Sequence, residues 1–190
     1  MSQENVEVVG GVRTPVAVSS ETTRRTLDAR IFVLFPALAR AFSSALSRLP
    51  PRSRLRRVIV SRLVRQGLEA WNRRDWDLLL LSLEPGIEYR PAPNLITPDE
   101  GKVTYGHDGY IRGIQTWLDA FDDLRFDPEE VIDFGDKLVV TVRWSGHGSG
   151  SGVPMSGRLF QLLTQRRGLV QKQEDFADRA EALEAAGLRK

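Results

Sequence analysis

The sequence predicts an α+β fold in which a curved antiparallel β-sheet forms a cone around three helices. Helical periodicity dominates residues 26–83, and a further amphipathic helix follows a short strand. Four alternating segments with turn residues between them then make up most of residues 125–176. Helices and antiparallel strands that are segregated along a chain are typical of the α+β class. A strongly curved sheet of this kind leaves the cone open at one end.

The composition allows one folded domain and excludes several kinds of site. The chain has 190 residues, of which 41% are hydrophobic, and this is enough for a substantial core. It contains no cysteine, which excludes disulfides, thiolate zinc sites and cysteine nucleophiles and is consistent with a cytoplasmic location. With only two histidines and no phosphate-binding glycine loop, we expect neither a metal site nor a cofactor.

The charge is distributed unevenly along the chain. Residues 1–74 contain 14 arginines and five acidic residues, whereas residues 75–190 contain 13 basic and 20 acidic residues. The basic excess therefore belongs to the N-terminal third. We predict a disordered segment over residues 1–25, a basic amphipathic helical extension over residues 26–57, and an α+β domain over residues 58–190.

The basic extension has three interpretations. Its helices could pack on the acidic domain or on a dimer mate, or residues 26–65 could contact an anionic membrane. Nucleic-acid binding is disfavoured because few aromatic residues lie among the arginines and no known motif is present. The longest apolar stretch, residues 31–39, is far shorter than the roughly 20 residues that span a bilayer. Pro36 predicts a kink or two shorter helices.

Turn and capping residues delimit the remaining elements. A helix is expected from about Ser53 to Arg73, and Asp75 is a suitable N-cap for a short helix that follows. Residues 87–93 alternate and predict a strand, and the next helix places Tyr110, Ile114 and Trp117 on one face. Four strands and a closing helix that ends at Gly187 complete the chain. The four strand segments are "RFDPEEVIDFG", "DKLVVTVRWSGHG", "GVPMSGRLFQLLTQ" and "GLVQKQEDF".

This order of elements, together with several local phrases, resembles a known family. The phrases are "GLEAWNRRDWDLLL", "IEYRPA", "YGHDGYIRGIQTWLDAF", "FDPEEVIDFGDKLVV", "GHGSGSGVP" and "DRAEALEAAGL", and they cover about two-thirds of the chain. They resemble SnoaL-like domain proteins of the nuclear transport factor two and ketosteroid isomerase superfamily. The resemblance implies a cystatin-like α+β barrel with a pocket for a small apolar or polyketide-like molecule, often in a homodimer. It does not imply one reaction, because this fold hosts enzymes and non-enzymes.

Asp175 is the candidate acid/base residue. SnoaL-like cyclases resemble this sequence in carrying an aspartate near the end of the last strand, and a carboxylic acid in an apolar setting is useful near neutral pH. Alternation places Gln171, Gln173 and Asp175 on one face of that strand. This face could line a cavity, or it could be an edge in solvent or a polar dimer contact.

Five further residues are candidates for ligand binding. Gln173 shares the face of Asp175, and Gln161 lies among apolar neighbours, where an amide needs a partner or a cavity. Arg143 could point inward to a carboxylate or outward to solvent. Tyr89 and Trp117 could form a pocket wall or pack in the core.

Two classes of function follow from these candidates. The first is an isomerase, dehydratase or cyclase that uses Asp175 as its acid/base in an apolar pocket. The second is a non-catalytic ligand carrier or dimerising accessory protein, which could attach to a membrane through its N-terminal helices. The oxyanion pair of ketosteroid isomerase is not visible, because Trp71 stands where a tyrosine would be expected.

Overall fold

The computed structural model describes residues 11–16, 25–93 and 102–187. In these ranges the helices are α1 (Leu27–Leu34), α2 (Pro36–Ser47), α3 (Arg54–Asn72), α4 (Trp76–Leu80), α5 (Gly106–Ala120) and α6 (Arg179–Ala185). The strands are β1 (Val12–Pro15), β2 (Leu83–Arg90), β3 (Thr104–Tyr105), β4 (Arg125–Asp133), β5 (Lys137–His147), β6 (Pro154–Arg166) and β7 (Leu169–Phe176).

The strands form one curved sheet that does not close. Their order is β1-β4-β5-β6-β7-β2-β3, so within the described ranges β1 and β3 are its edges. Neighbouring strands are antiparallel, except that β2 runs parallel to β7. The predicted α+β class, with a cone-shaped sheet around helices and an extra helical extension, is confirmed.

Local sequence signals explain most of the element boundaries. The Ser53 side chain accepts a hydrogen bond from the backbone of Arg56 at the start of α3, and Asp75 caps α4 in the same way. Pro36 ends α1 and occupies the first turn of α2, where its missing N–H costs nothing. The prediction of two shorter helices at this proline is therefore confirmed.

Two predictions about the N-terminal third need correction. Val12–Pro15, which lies in the segment predicted to be disordered, is strand β1 and pairs antiparallel with β4. An edge strand needs only one partner, so a polar segment with a proline can form one. The boundary predicted between residues 57 and 58 falls inside the continuous helix α3. The rest of the predicted disordered segment lies outside the described residues, apart from residues 11, 16 and 25.

The sheet has apolar residues on both faces. Its inner face packs on α3 and α5 in the larger core, where Trp71, Trp117 and Phe126 meet edge to face. Its outer face is covered by α6 and forms a second cluster. The buried members of that cluster are Ile132, Val139, Phe160, Leu162, Ala182 and Leu183. Strand β5 is therefore apolar on two sides, as strands covered on both faces are.

A buried ion pair fixes the C-terminal end of α2. The guanidinium of Arg56 donates to both carboxylate oxygens of Asp133, over 2.7 and 3.0 Å, and both side chains are almost fully buried. The same guanidinium donates to the backbone carbonyls of Leu46 and Leu49. Carbonyls at the end of a helix lack intrahelical partners. Arg56 therefore links α2 and α3 to strand β4.

Candidate active site

An apolar cavity of about 190 Å³ lies between the inner face of the sheet and helices α2, α3 and α5. Its wall is mostly aliphatic and aromatic, and it includes Trp71, Ile114, Phe126, Leu138, Val140 and Leu159. Among the described residues that line it, Asp175 is the only carboxylic acid. Arg56 also reaches the wall, but its guanidinium is bound to Asp133.

A β-bulge in β7 decides which side chains of that strand face the cavity. Lys172 pairs with Thr164 and Val170 pairs with Gln165, so Gln171 is an extra residue without a partner in the ladder. The bulge shifts the alternation by one residue. Val170, Gln173 and Asp175 therefore line the cavity, and the predicted shared face of Gln171 with Gln173 and Asp175 is wrong.

Asp175 is held by neutral hydrogen-bond donors at the polar end of the cavity. The Tyr89 hydroxyl donates to Oδ2 over 2.9 Å, and Nε2 of Gln173 donates to Oδ1 over 3.0 Å. Gln161, the cross-strand neighbour of Asp175, makes a further side-chain hydrogen bond to it. The Tyr110 hydroxyl donates to Oε1 of Gln173 over 3.0 Å and so fixes the orientation of that amide.

Burial shifts the pKa of this carboxyl group toward neutral pH. Asp175 is 5% exposed, and burial raises its pKa from the ordinary value to about 6, because the charged form loses its hydration. The hydrogen bonds from Gln173, Tyr89 and Gln161 act in the opposite direction and lower it. Burial also raises the pKa of Tyr89 and Tyr110, so both phenols remain protonated donors.

The structure brings five of the six candidate residues together. Gln161, Gln173, Asp175, Tyr89 and Trp117 all line the cavity.

Arg143 is the exception and requires a correction. Its side chain is 51% exposed and lies 3.9 Å from a carboxylate oxygen of Asp127, outside the cavity. It does share a face with Val139 and Thr141, as alternation predicts, but that face is the outer one. The buried Val139 belongs to the cluster under α6, so its apolar character did not mark the cavity side of β5.

Sequence reasoning missed two contributors to the cavity. From the sequence, Tyr110 lies on the apolar face of its helix. Its hydroxyl group was the feature that could have indicated a polar contact there. Helix α2 forms a wall of the cavity through Ala39, Phe42, Ser43 and Leu46, although it was assigned to an extension outside the domain.

Comparison with known proteins identifies the family. The family model described as the SnoaL-like domain matches residues 64–172, which is more than half of the chain. The chain belongs to the SnoaL-like domain family. No curated protein matches it significantly.

Several solved structures share the fold of this SnoaL-like protein. An NTF2-like protein of unknown function from Burkholderia pseudomallei is 26% identical with a TM-score of 0.55, over 65% of this chain and 93% of that one. A putative SnoaL-like polyketide cyclase from Jannaschia is 22% identical with a TM-score of 0.53, over 69% and 92%. TerC, co-crystallised with polyporic acid, is 21% identical with a TM-score of 0.55, over 65% and 96%.

Proposed function

We propose that this SnoaL-like protein binds a small apolar carbonyl compound in its cavity and that Asp175 transfers a proton to and from it. One observation carries the proposal. A single carboxyl group, with its pKa raised to about 6, lies buried in an otherwise apolar cavity. A general acid/base is most effective when its pKa is near the working pH.

The hydrogen bonds around Asp175 leave room for a reacting proton. An ionised carboxylate has about four acceptor positions. Tyr89, Gln173 and Gln161 account for three of them, so one position remains for a proton of the ligand. Tyr110 and Gln173 are positioning residues, because Tyr110 orients the amide of Gln173 and Gln173 in turn orients the carboxylate of Asp175.

The chemistry that fits is removal of a proton from carbon next to a carbonyl group. Asp175 takes the proton, and the C–H electron pair moves toward the carbonyl to give an enolate. The same carboxylic acid then returns the proton to another carbon, which is isomerisation, or to a departing hydroxyl, which is dehydration. In cyclisation, the enolate carbon attacks a second carbonyl of the same molecule, and the carboxylic acid gives its proton to the alkoxide that forms. All three need only one acid/base group.

The size of the cavity favours a compact ligand. Apolar cavities of about 150 Å³ bind benzene. The present cavity, at about 190 Å³, suits a molecule of one or two rings. The structural similarity to a putative SnoaL-like polyketide cyclase and to a protein co-crystallised with polyporic acid supports a small organic ligand.

The test is the exchange of α-hydrogens of 2-tetralone in D₂O, followed by proton NMR. We expect the wild-type protein to accelerate exchange and Asp175→Asn to reduce the rate to that of buffer. Glu174→Gln is the matched control, because Glu174 is the next carboxylate on β7 but pairs with Lys172 outside the cavity. Exchange that is equally fast with Asp175→Asn would exclude this role for the carboxylate.

A non-catalytic carrier is the alternative, and the same cavity supports it. Its distinguishing result is tight binding of N-phenyl-1-naphthylamine, an apolar fluorescent probe, without any acceleration of exchange. The homodimer and the cytoplasmic location expected from the sequence stay predictions.

A further inference from the structure

The two faces of the α1–α2 pair (residues 27–47) differ in what they contact. One face is directed inward, and Phe32, Phe42 and Leu46 line the cavity. The β6–β7 turn supports this face, because Gly168 lies against the backbone of Ser43. The pair is therefore a wall of the candidate active site as well as an N-terminal extension.

The opposite face is apolar and exposed. Leu27, Leu34 and Phe35 are 77%, 73% and 61% exposed, and Ile31 and Leu38 are about half exposed. Residues at i, i+4 and i+7 lie on one side of a helix, so Leu27, Ile31 and Leu34 share a stripe. An exposed apolar patch of this kind usually marks an interaction surface.

Positive charge predominates around this face. Residues 25–65 contain ten arginines and one acidic residue, Asp28, which is bound by Arg62 and Gln66. Two of these arginines are already paired with acids outside the segment, Arg25 with Asp75 and Asp77 and the buried Arg56 with Asp133. Arg30 is exposed one turn from both Leu27 and Leu34, and Arg40 and Arg48 are exposed on and beside α2. A second copy seated on this face would bring like charges together, whereas an anionic surface would meet charges of opposite sign.

We propose that the outer face of the α1–α2 pair binds the surface of an anionic lipid bilayer. Within the described ranges no single helix is long and apolar enough to cross a membrane, and the chain bends by 113° between α1 and α2. Amphipathic helices with basic flanks lie in the plane of the interface, with their apolar face among the acyl chains. Here that face consists of Leu27, Ile31, Leu34, Phe35 and Leu38.

The location of this surface suggests where the ligand comes from. The helices that would contact lipid also wall the cavity, so a ligand dissolved in the bilayer would meet them first. The substrate class would then be an apolar molecule that partitions into membranes. This consequence rests on the proposed function, whereas the membrane contact itself does not.

The test is co-sedimentation of the full chain with phosphatidylcholine vesicles that contain phosphatidylglycerol, and with vesicles of phosphatidylcholine alone. We expect wild-type protein to bind the anionic vesicles at least tenfold more tightly than the neutral ones, on the scale set by several basic residues near the surface. Added salt should weaken the binding, because it screens the arginines.

Paired variants test whether vesicle binding depends on this face or on exposed apolar residues in general. Leu34→Glu with Phe35→Glu should reduce binding to anionic vesicles at least tenfold, because each change puts an acid on the lipid-facing surface. The matched control is Val153→Glu with Met155→Glu, which alters two exposed apolar residues, one immediately before β6 and one near its start, and should bind like wild type. Circular dichroism checks that both variants fold.

Three outcomes would overturn the proposal. The first is wild-type protein that does not sediment with anionic vesicles or binds neutral ones equally well. The second is full binding by the Leu34→Glu, Phe35→Glu variant. The third is a wild-type dimer, detected by light scattering, that is lost in the Leu34→Glu, Phe35→Glu variant, together with no binding of wild-type protein to vesicles. This result would make the face a contact between two copies of the chain. Asp175→Asn should bind vesicles normally, so failure of the exchange assay and failure of membrane binding are distinguishable.

Discussion

Two buried aspartates of this protein, Asp133 and Asp175, have opposite surroundings. Asp133 receives two hydrogen bonds from the guanidinium of Arg56 and one from the backbone N–H of Gly135. Asp175 is buried to a similar degree, at 5% exposure against 2%, but its partners are phenol and amide groups without charge. Among the described residues, the carboxylate of Asp133 has a compensating cation and that of Asp175 has none.

This difference indicates what each carboxylate does. An arginine that contacts both carboxylate oxygens makes a strong, directional pair, and here it joins α2, α3 and β4. Asp175 gains no such stabilisation of its charge, so burial raises its pKa to about 6. Asp133 is a structural anchor, whereas Asp175 has the environment that a proton-transfer group needs.

The largest effect is expected from Asp133→Asn. This change leaves the buried Arg56 without its counter-ion, which typically costs about 3–5 kcal/mol. Urea denaturation measures the loss. The control is the double variant Arg56→Met, Asp133→Leu, which removes both charges and should recover much of the stability. A single variant that loses less than about 1 kcal/mol would mean that Asp133 is no anchor.

Asp175→Asn should have the opposite effect on stability. The folded pKa of about 6 lies above the unfolded value of about 3.9, so the folded state is favoured while Asp175 is protonated. That contribution is complete below about pH 4 and is lost as the pH rises through about 6. The amide cannot ionise, so the variant should be more stable than wild type by roughly 1–3 kcal/mol above pH 7.

Urea denaturation at pH 4 and at pH 7.5 checks this prediction. The two proteins should differ little at the lower pH, because both then carry an uncharged side chain at position 175. Glu174→Gln is again the control and should show no such pH-dependent gain. A variant that is less stable than wild type at pH 7.5 would show that the carboxylate is stabilised in its charged form.

Gly168→Ala tests whether helix α2, as a wall of the cavity, excludes water from Asp175. Gly168 has φ +80°, and a Cβ there would collide with the backbone of Ser43 on α2. We expect α2 to shift, water to enter the cavity and the pKa of Asp175 to fall toward its ordinary value. Gly152→Ala is the matched control, because Gly152 has φ +63° and no atom lies close to the position of an added Cβ. In both variants an alanine must adopt the left-handed backbone conformation, which costs about 1–2 kcal/mol.

The pKa of Asp175 can be followed by carbon NMR of its carboxyl group in protein labelled at aspartate. An unchanged pKa in Gly168→Ala, in a protein that is otherwise folded, would mean that α2 does not control hydration of the site. The same pKa should be seen in wild type and Gly152→Ala.

The smallest effect is expected from Tyr89→Phe, which removes one donor to Asp175. A hydrogen bond to a charged group contributes about 1.5–3 kcal/mol, so the pKa should rise further by about one to two units. In the exchange assay the rate should then reach its plateau at correspondingly higher pH. Tyr110→Phe is the comparison, because Tyr110 contacts Gln173 rather than Asp175 and should shift the pKa less.

Much of the fold could be predicted from local signals in the sequence. Ser53 and Asp75 cap their helices, Pro36 separates two others, and Gly187 follows the closing helix with φ +103°. These signals act over a few residues, so they can be recognised without tertiary context. The run "QKQED" likewise predicted a polar site on the last strand, and Gln173 and Asp175 do line the cavity.

The remaining features depend on contacts between distant segments. The parallel pairing of β2 with β7 brings Tyr89 next to Gln173, and no local pattern encodes a pairing between residues so far apart. The inward direction of Gln173 also depends on the bulge at Gln171. Arg143 points outward together with Val139, and the apolar character of Val139 reflects the cover that α6 gives to that same outer face of β5.

The amino-acid sequence is sufficient to predict the helices, the principal strands and their order, the family and the strand that carries the acid. Capping, turn chemistry and alternation decide these locally. The uncharged donors around Asp175 and its enclosure by α2 arise from tertiary contacts, because the pKa of this carboxyl group depends on which distant groups exclude water from it and whether any of them is charged.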